Sequence, residues 1–441
     1  MDWELDEGSI DVVAGVGLPT RPNVHCVDHL LQAAGPGDLV ASRDIRDRNG
    51  LLLWAKNRPI TPDIRERLLA KRLLEPLEVS LTYRHSLAPA DLGRVARELM
   101  DDERALATLL GEDSGRVLAA LQHLRLHGGP GVLMTATARN RPASLRHSVG
   151  VAMIAVWLAL RLGCSDSIVA DAAEAGLMHD IGENYLDPVL LSQPHQLDST
   201  QWRAICVHPI IGSALLREAG TYPERVARAV QEHHERIDGS GYPAATRDIS
   251  PLGRILLSAE VVAALLSSAE NPLARVAIAL RMIPGQFPKE VIDAVSTGVR
   301  DRMVAPLLLP DAAPLQDQIT QVLTALGQAR QALTALRERE AATAGERDLA
   351  THLSGLVARF TMAMSASGAP ESVDSRLLLE DPAIALELCQ VMREMSWQLP
   401  GLHRHAELLV HQRAGDVAAW EPLLHALDLR ISVNCTACLA A

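Results

Sequence analysis

Between positions 140 and 265 the chain returns to a histidine or a carboxylate at intervals of roughly 30 residues, the length of a helix and its connection. These are His147, His179 with Asp180, His208, His233 with His234, and Glu260. The stretches around them are rich in Ala and Leu at helical spacing. Such intervals suit ligands carried on successive helices that converge, as in metal sites inside helical bundles. Each feature alone is weak. An HD dipeptide arises by chance, a lone His on an apolar helix face is more often a satisfied core residue, and adjacent histidines can be a solvated face. In combination they point to a bundle whose interior gathers imidazoles and carboxylates.

Those groups, without cysteine, suit borderline metals such as Fe, Mn, Ni or Zn rather than closed structural zinc. Consecutive helical side chains diverge by roughly 100°, so His233 and His234 are expected to serve two ions, or one ion and a substrate. Asp180, beside His179, is the residue placed to bridge two metals.

The rest of the chain reads as mainly helical. Aromatics are only 3% of the residues within a hydrophobic fraction of 48%, and Ala–Leu cores are packed helices. A length of 441 residues implies two to three domains. Residues 1–36 are an N-terminal segment; its MDWELDEGS start lacks an apolar signal core. Residues 37–85 form a small α+β unit of docking or regulatory type. There GDLVASRDI alternates as a strand, Asn49-Gly50 gives a hairpin turn, LLLWA a second strand, and LEVSLTY another. Thr61-Pro62 opens a helix through about Lys71. A helical connector at 86–134 contains GGPG at 128–131, which breaks the helical run before the main domain at 135–305.

Residues 311–345 form a long helix. Leu315, Ile319, Val322, Leu326, Ala329, Leu333 and Leu336 repeat with 4-3 spacing, which fits a coiled-coil homodimer seam over 315–336 or packing within the chain. A linker at 365–372 and a helical C-terminal region, within 346–441, complete the chain. Six cysteines are no disulfide framework. Cys435 and Cys438 form one CxxC without a partner motif, so a plain tail is expected there. The net charge of −12 weighs against long nucleic acid. The apolar run at 149–160 is too short to span a bilayer, and a cytoplasmic protein is expected.

Over roughly 135–300 the sequence resembles the HD-GYP family, a branch of the HD phosphohydrolase superfamily. HDIGE (179–183) resembles the family's HDIGK, HHERIDGSGYP (233–243) matches its hallmark, and SPLGRILLSAEVVAAL follows its next segment. The 37–82 unit is similar to a small domain found ahead of HD-GYP domains. The resemblance implies an HD-type helical bundle hydrolysing cyclic di-GMP, to linear pGpG or on to GMP, by attack of a metal-activated hydroxide at a two- or three-metal centre. It implies a place in bacterial second-messenger signalling, with signalling proteins as further partners.

By that resemblance His147, His179 and Asp180 hold one ion and His208, His233 and His234 the other. Glu260 completes the shell, and His179 and Asp180 are the catalytic pair. The loop carrying Asp238, Gly239, Gly241, Tyr242 and Pro243 would meet the substrate. Four departures stand out. Ala143 replaces a glutamate that supports a third metal in some members, so two divalent ions are expected, Fe or Mn before Ni or Zn. Glu260 stands for an aspartate, Glu183 replaces a phosphate-binding lysine, and SSAENPLAR, with Ala269 and Pro272, replaces a basic stretch. Arg236, Arg254 and Arg275 are the cations expected to compensate. Cyclic di-GMP phosphodiesterase is the leading expectation. A non-catalytic sensor or interaction module, and a phosphohydrolase for another nucleotide, are the alternatives.

Overall fold

The computed structural model describes residues 21–124, 126–192, 197–267, 272–300, 312–366 and 382–429. Ala269, Cys435 and Cys438 lie outside these residues, as do residues 1–20 and the 365–372 linker from 367 onward. The chain divides into two compact units, Met1–Glu235 with Tyr242–Ser267, and Arg236–Gly241 with Ser268–Ala441.

The first unit opens on α1 (Val24–Gln32), whose first turn is capped by the Asn23 side chain accepting from the Cys26 amide at 3.0 Å. Four short strands follow: β1 (Leu39–Ala41), β2 (Ile45–Arg46), β3 (Leu52–Trp54) and β4 (Leu81–Tyr83). Strand β1 pairs antiparallel with β4, Leu39 opposite Tyr83, and β2 pairs with β3 across an irregularity at Ile45 and Arg46. The expected Asn49-Gly50 turn joins β2 to β3. Gly50 takes a positive φ there, open to glycine without strain. Asp47 Oδ1 accepts from the Asn49 and Leu51 amides, the local bonding that makes Asp a turn residue.

Three expectations for this module are corrected. GDLVASRDI is not one strand: it breaks after Ala41, and β1 and β2 belong to separate two-stranded sheets. The helix after Thr61-Pro62 is a 3-10 turn (Pro62–Ile64) leading into a short α2 (Arg65–Leu69), and the Thr61 side chain makes no cap bond. LEVSLTY is not one strand, because Leu77–Ser80 coils as a 3-10 turn before β4. That turn carries Glu78 into the interior, where its carboxylate accepts the Tyr185 hydroxyl at 2.6 Å.

The helical body comprises α3 (Pro89–Asp102), α4 (Arg104–Leu110), α5 (Ser114–Gln122), α6 (Gly128–Asn140), α7 (Pro142–Arg161), α8 (Asp166–Met178), α9 (Pro188–Ser192), α10 (Ser199–Ile205), α11 (His208–Ala219), α12 (Glu224–Glu232) and α13 (Pro251–Leu266). GGPG does not itself break the run, which ends after Gln122; Gly128, with a positive φ, opens α6. The other residues of GGPG form the first turn of α6, where an absent proline N–H costs nothing. Helix α7 is the axis of the unit. From Val149 to Ala159 every side chain is buried, including Trp157, which is the signature of a core helix apolar all round. Helices α8 and α13 cover it. By composition α7 is long and apolar enough to cross a membrane, longer than the 149–160 run suggested, but 72% of its apolar window is buried in the protein.

The module docks on this body. Arg139, at the end of α6, donates to the Ala33 carbonyl at 3.1 Å and the His85 carbonyl at 2.5 Å and pairs with Asp38; Asn140 donates to the His29 carbonyl at 2.8 Å.

The second unit contains α14 (Pro272–Met282), α15 (Lys289–Arg300), α16 (Ala312–Glu338), α17 (Ala344–Ala366), α18 (Pro382–Arg413) and α19 (Glu421–Leu427). All seven residues of the 4-3 seam are buried within the chain, where α16 packs on α17 and α19. Of the two readings of that seam, packing within the chain is the one observed, and the seam no longer argues for a homodimer.

Burial raises the Glu78 carboxyl above its ordinary range, and the Tyr185 hydroxyl bond lowers it only in part. A raised carboxyl contributes stability below the ordinary carboxylate range and loses it as pH rises. Tyr185→Phe should therefore cost about 1–3 kcal/mol by leaving a buried acceptor unpaired. Glu78→Gln should gain stability relative to the native chain as pH rises from about 5 to 8. Urea denaturation across that range checks both.

Candidate metal centre

Each site residue enters from a different part of the first unit. His147 lies in the second turn of α7, and His179 and Asp180 close α8. His208 opens α11, His233 caps α12, His234 follows it, and Glu260 sits in α13. All seven converge, so the intervals in the sequence are helix-to-helix returns around one interior point.

Asp180 is the hub. Its Oδ2 lies 2.9 Å from His179 Nε2 and 3.9 Å from His147 Nε2. Its Oδ1 lies 3.4 Å from His208 Nε2 and 3.5 Å from His233 Nε2. One oxygen thus faces each half of the cluster. Glu260 joins the first half, with Oε2 at 3.1 Å from His147 and 3.2 Å from His179. Two groups of mutually close donor atoms result: His147, His179 and Asp180; and Asp180, His208, His233 and His234.

His233 and His234 fall in one group with His208, as the family resemblance implies and against the expectation from helical divergence that they would point to separate partners. His233 is already the C-cap of α12, so the angular separation of helical neighbours does not apply; their rings lie 4.1 Å apart.

The donor set fits divalent metal ions. The Nδ1–H groups of His179, His208 and His233 donate to the carbonyls of Gly176 (2.8 Å), Ile205 (2.8 Å) and Val230 (2.6 Å). Each carbonyl lies one helical turn back, and each bond holds a proton on Nδ1 and turns Nε2 inward, where the Nε2 atoms of His208 and His233 meet at 3.2 Å. Nε2 of His179 is fully buried and makes no hydrogen bond of acceptable geometry, an orphan that a cation would satisfy.

Charge supports the same assignment. Burial alone would raise Asp180, yet His179, His208 and His233 hold it well below the usual carboxylate range. Burial is likewise overcome at Glu260 by His147 and His179. Burial pushes His233 down to about 4 and His234 well down. Glu260 raises His147, and the neighbouring carboxylates raise His179 and His208 against their burial, so a cation bound there would have to displace protons from those three rings.

Gly182 explains the glycine after HDI. A Cβ there would fall on the His208 carbonyl and lie 2.8 Å from the Gly212 amide. The turn after Asp180 can therefore lie against α11 only without a side chain.

The other sequence candidates divide. Tyr242 is at the site: its ring stacks on His234 at 4.5 Å, Trp202 meets it edge-on at 5.5 Å, and its amide donates to the His234 carbonyl. Pro243 follows through a cis peptide bond, and Glu235 secures the return by accepting from the Ala244 and Thr246 amides. Arg254 donates to the Ile249 carbonyl at the start of α13. Arg236, Asp238, Gly239 and Gly241 belong to the second unit. Arg236 lies over the Phe287 ring at 5.4 Å, and Gly239 takes a positive φ. Asp238 is buried; it accepts from Ser240 and faces Arg359 at 3.7 Å, so it shapes its loop rather than presenting a free carboxylate. Arg275 pairs with buried Glu394 at 2.6 Å, which removes it from the cations expected to compensate. Pro272 starts α14.

Sequence reasoning missed Arg141. Its guanidinium donates to Glu183 at 3.1 Å and to the Asn184 side chain at 3.1 Å. Burial, and then the charge of Asp180, push the Glu183 carboxyl up to about 7, while His208, Arg141 and His179 act in the opposite sense. The anion at the position of a phosphate-binding lysine is thus matched by a neighbouring cation. The signal available in the sequence was an arginine just before Pro142, the residue that opens α7.

Residues 131–283 match the family model described as HD domain. The chain is 32% identical over 192 residues to a 3'3'-cGAMP-specific phosphodiesterase of Vibrio cholerae, covering 41% of each chain. It is 35% identical over 123 residues to a cyclic di-GMP phosphodiesterase of Pseudomonas aeruginosa, covering 27% of this chain and 30% of that one. A cyclic di-GMP phosphodiesterase response regulator of Xanthomonas campestris is 34% identical over 118 residues, 26% of this chain and 31% of its own. The matches therefore span well under half the length of these relatives.

Gly182→Ala is expected to displace the Asp180 turn from α11. It should lower stability by at least about 2 kcal/mol, as overpacking against backbone does, and lower retained metal in parallel. Thermal melts and elemental analysis of the purified variant check this.

Proposed function

We propose that this chain, which belongs to the HD-GYP family through its HD domain at 131–283, is a divalent-metal phosphodiesterase that hydrolyses cyclic di-GMP or a related cyclic dinucleotide to its linear form. The observation that carries the reading is the division of Asp180, one oxygen toward His147 and His179 and the other toward His208 and His233. That arrangement suits two ions sharing one carboxylate. His147, His179 and Glu260 would complete one coordination shell, and His208, His233 and His234 the other. Divalent ions held by these residues would supply a lowered pKa for a bound water and charge to neutralise phosphoryl oxygens.

The chain's own residues provide the rest. The three Nδ1–H to carbonyl bonds keep the rings oriented and their Nε2 atoms turned inward. Tyr242, stacked on His234, covers one flank of that ring. Arg141 neutralises Glu183, which would otherwise oppose an incoming phosphate.

A second reading, a module that binds the nucleotide without turning it over, is favoured by one observation. Arg275, in the stretch where basic residues are expected, is tied to Glu394. Chromatography of cyclic di-GMP incubated with Mn- or Fe-loaded protein separates the two readings. Linear product, absent with Asp180→Ala, supports the enzyme. Saturable binding without product supports the module, and neither binding nor turnover of any cyclic dinucleotide sinks both. Arg141→Ala should lower kcat/KM about tenfold or more at alkaline pH, where Glu183 is left as an unpaired anion, and less at and below about pH 7, where Glu183 takes up a proton. Adding Glu183→Gln should restore most of the loss, a coupling that a double-mutant cycle reads directly.

A further inference from the structure

One side of the metal centre opens into a cavity of about 200 Å³, with His147 in its wall. Ala143, His147, Gly150 and Ile154 line it from α7, at spacings of 4, 3 and 4 that place them on one helix face. Leu99, Leu106 and Leu266 add apolar surface; Glu103 and Arg146 add polar groups. Pockets for whole small-molecule ligands run to roughly 300–1,000 Å³, so this one suits a fragment. Ala143 and Gly150 keep its α7 wall low, and a Cβ added at Gly150 would meet nothing within 4 Å.

We propose that this cavity receives one purine base of the nucleotide substrate and selects guanine over adenine. The inference rests on the cyclic dinucleotide reading above. It depends on Glu103 and Arg146 having complementary hydrogen-bonding character. A carboxylate only accepts, and the guanine edge offers it N1–H and the N2 amino group, whereas adenine offers an unprotonated N1. A guanidinium only donates, and it suits guanine O6 and N7, whereas adenine puts an amino donor where O6 would be. Both groups therefore favour guanine and oppose adenine, so selectivity comes from repulsion as well as attraction. The apolar walls provide surface for the faces of the ring. Burial raises the Glu103 carboxyl, with Arg146 and His147 opposing and Asp102 adding to the rise, as expected of a carboxylate facing a partly dry pocket. Arg146 also holds Asp102 at 2.9 Å, which steadies its side chain beside the opening.

The test titrates GMP and AMP into the metal-loaded full chain by calorimetry and compares kcat/KM for cyclic di-GMP and cyclic di-AMP. GMP should bind at least about tenfold more tightly than AMP. Glu103→Gln, which presents an amide that can also donate, should reduce that preference to within about threefold. Gly150→Leu fills the cavity from a helical position with open space. Leucine favours helix over glycine, so the variant should fold with an undiminished melting temperature. It should weaken GMP about tenfold or more. Equal binding of GMP and AMP to the native chain, or a guanine preference intact in both variants, overturns the inference. The two readings fail separately. Cyclic di-GMP turnover unchanged in Gly150→Leu removes the base pocket and leaves the phosphodiesterase standing. A guanine preference lost in Glu103→Gln, in a protein that turns over no cyclic dinucleotide, leaves the pocket and removes the phosphodiesterase.

Discussion

Asp180 is a nearly interior carboxylate surrounded by imidazoles from four separate helix ends or faces, and much of the first unit is arranged around holding it ionised. An isolated buried carboxylate would take up a proton or pull water inward. Here His179, His208 and His233 keep it charged, and backbone carbonyls keep those rings turned toward it. Five imidazoles and two carboxylates form a set suited to divalent cations, because six of them offer donor atoms in two groups, each within 4.8 Å.

Holding those groups together requires a rigid frame, and α7 supplies it. A helix buried all round cannot shift without opening voids along its length, so it fixes His147 with respect to the helices packed on it. On the far side of Asp180 the chain turns tightly against α11, with Gly182 allowing backbone to meet backbone. The same turn then presents Glu183 and Asn184 to Arg141, and Tyr185 to Glu78 of the α+β module. Between Asp180 and Tyr185 the polypeptide passes from the central carboxylate of the cluster to the docking contact. The small α+β module is thereby tied to the segment that carries the hub.

The electrostatics near Glu183 show how a substitution that looks disabling in one dimension can be compensated in three. The anion stands where the family resemblance places a cation, but Arg141, 42 residues earlier, approaches it from the α6–α7 junction. Arg275, close in sequence to the missing basic stretch, is instead committed to Glu394 inside the second unit. Proximity in sequence to a motif was therefore a poor guide to which cations serve it.

The sequence by itself determined the cluster of histidines and carboxylates and the helical character of the segment that carries it. Histidines and carboxylates separated by helix-length intervals within Ala- and Leu-rich stretches have few other ways to be buried. It also determined the Asn49-Gly50 hairpin and the buried face of α16, because turn chemistry and hydrophobic period are local properties. Tertiary structure decided the rest. It placed His233 and His234 in one group because α12 ends there, and a helix end depends on what it packs against as well as on its own residues. It turned LEVS inward as a 3-10 turn because Glu78 found a partner in Tyr185, 107 residues away. It covered the 4-3 seam with α17 and α19, since an apolar stripe specifies burial without specifying the surface that buries it. It paired Arg141 with Glu183 and opened the cavity at Gly150, because contacts between distant residues, and the spaces left between helices, are set only when the whole chain has packed.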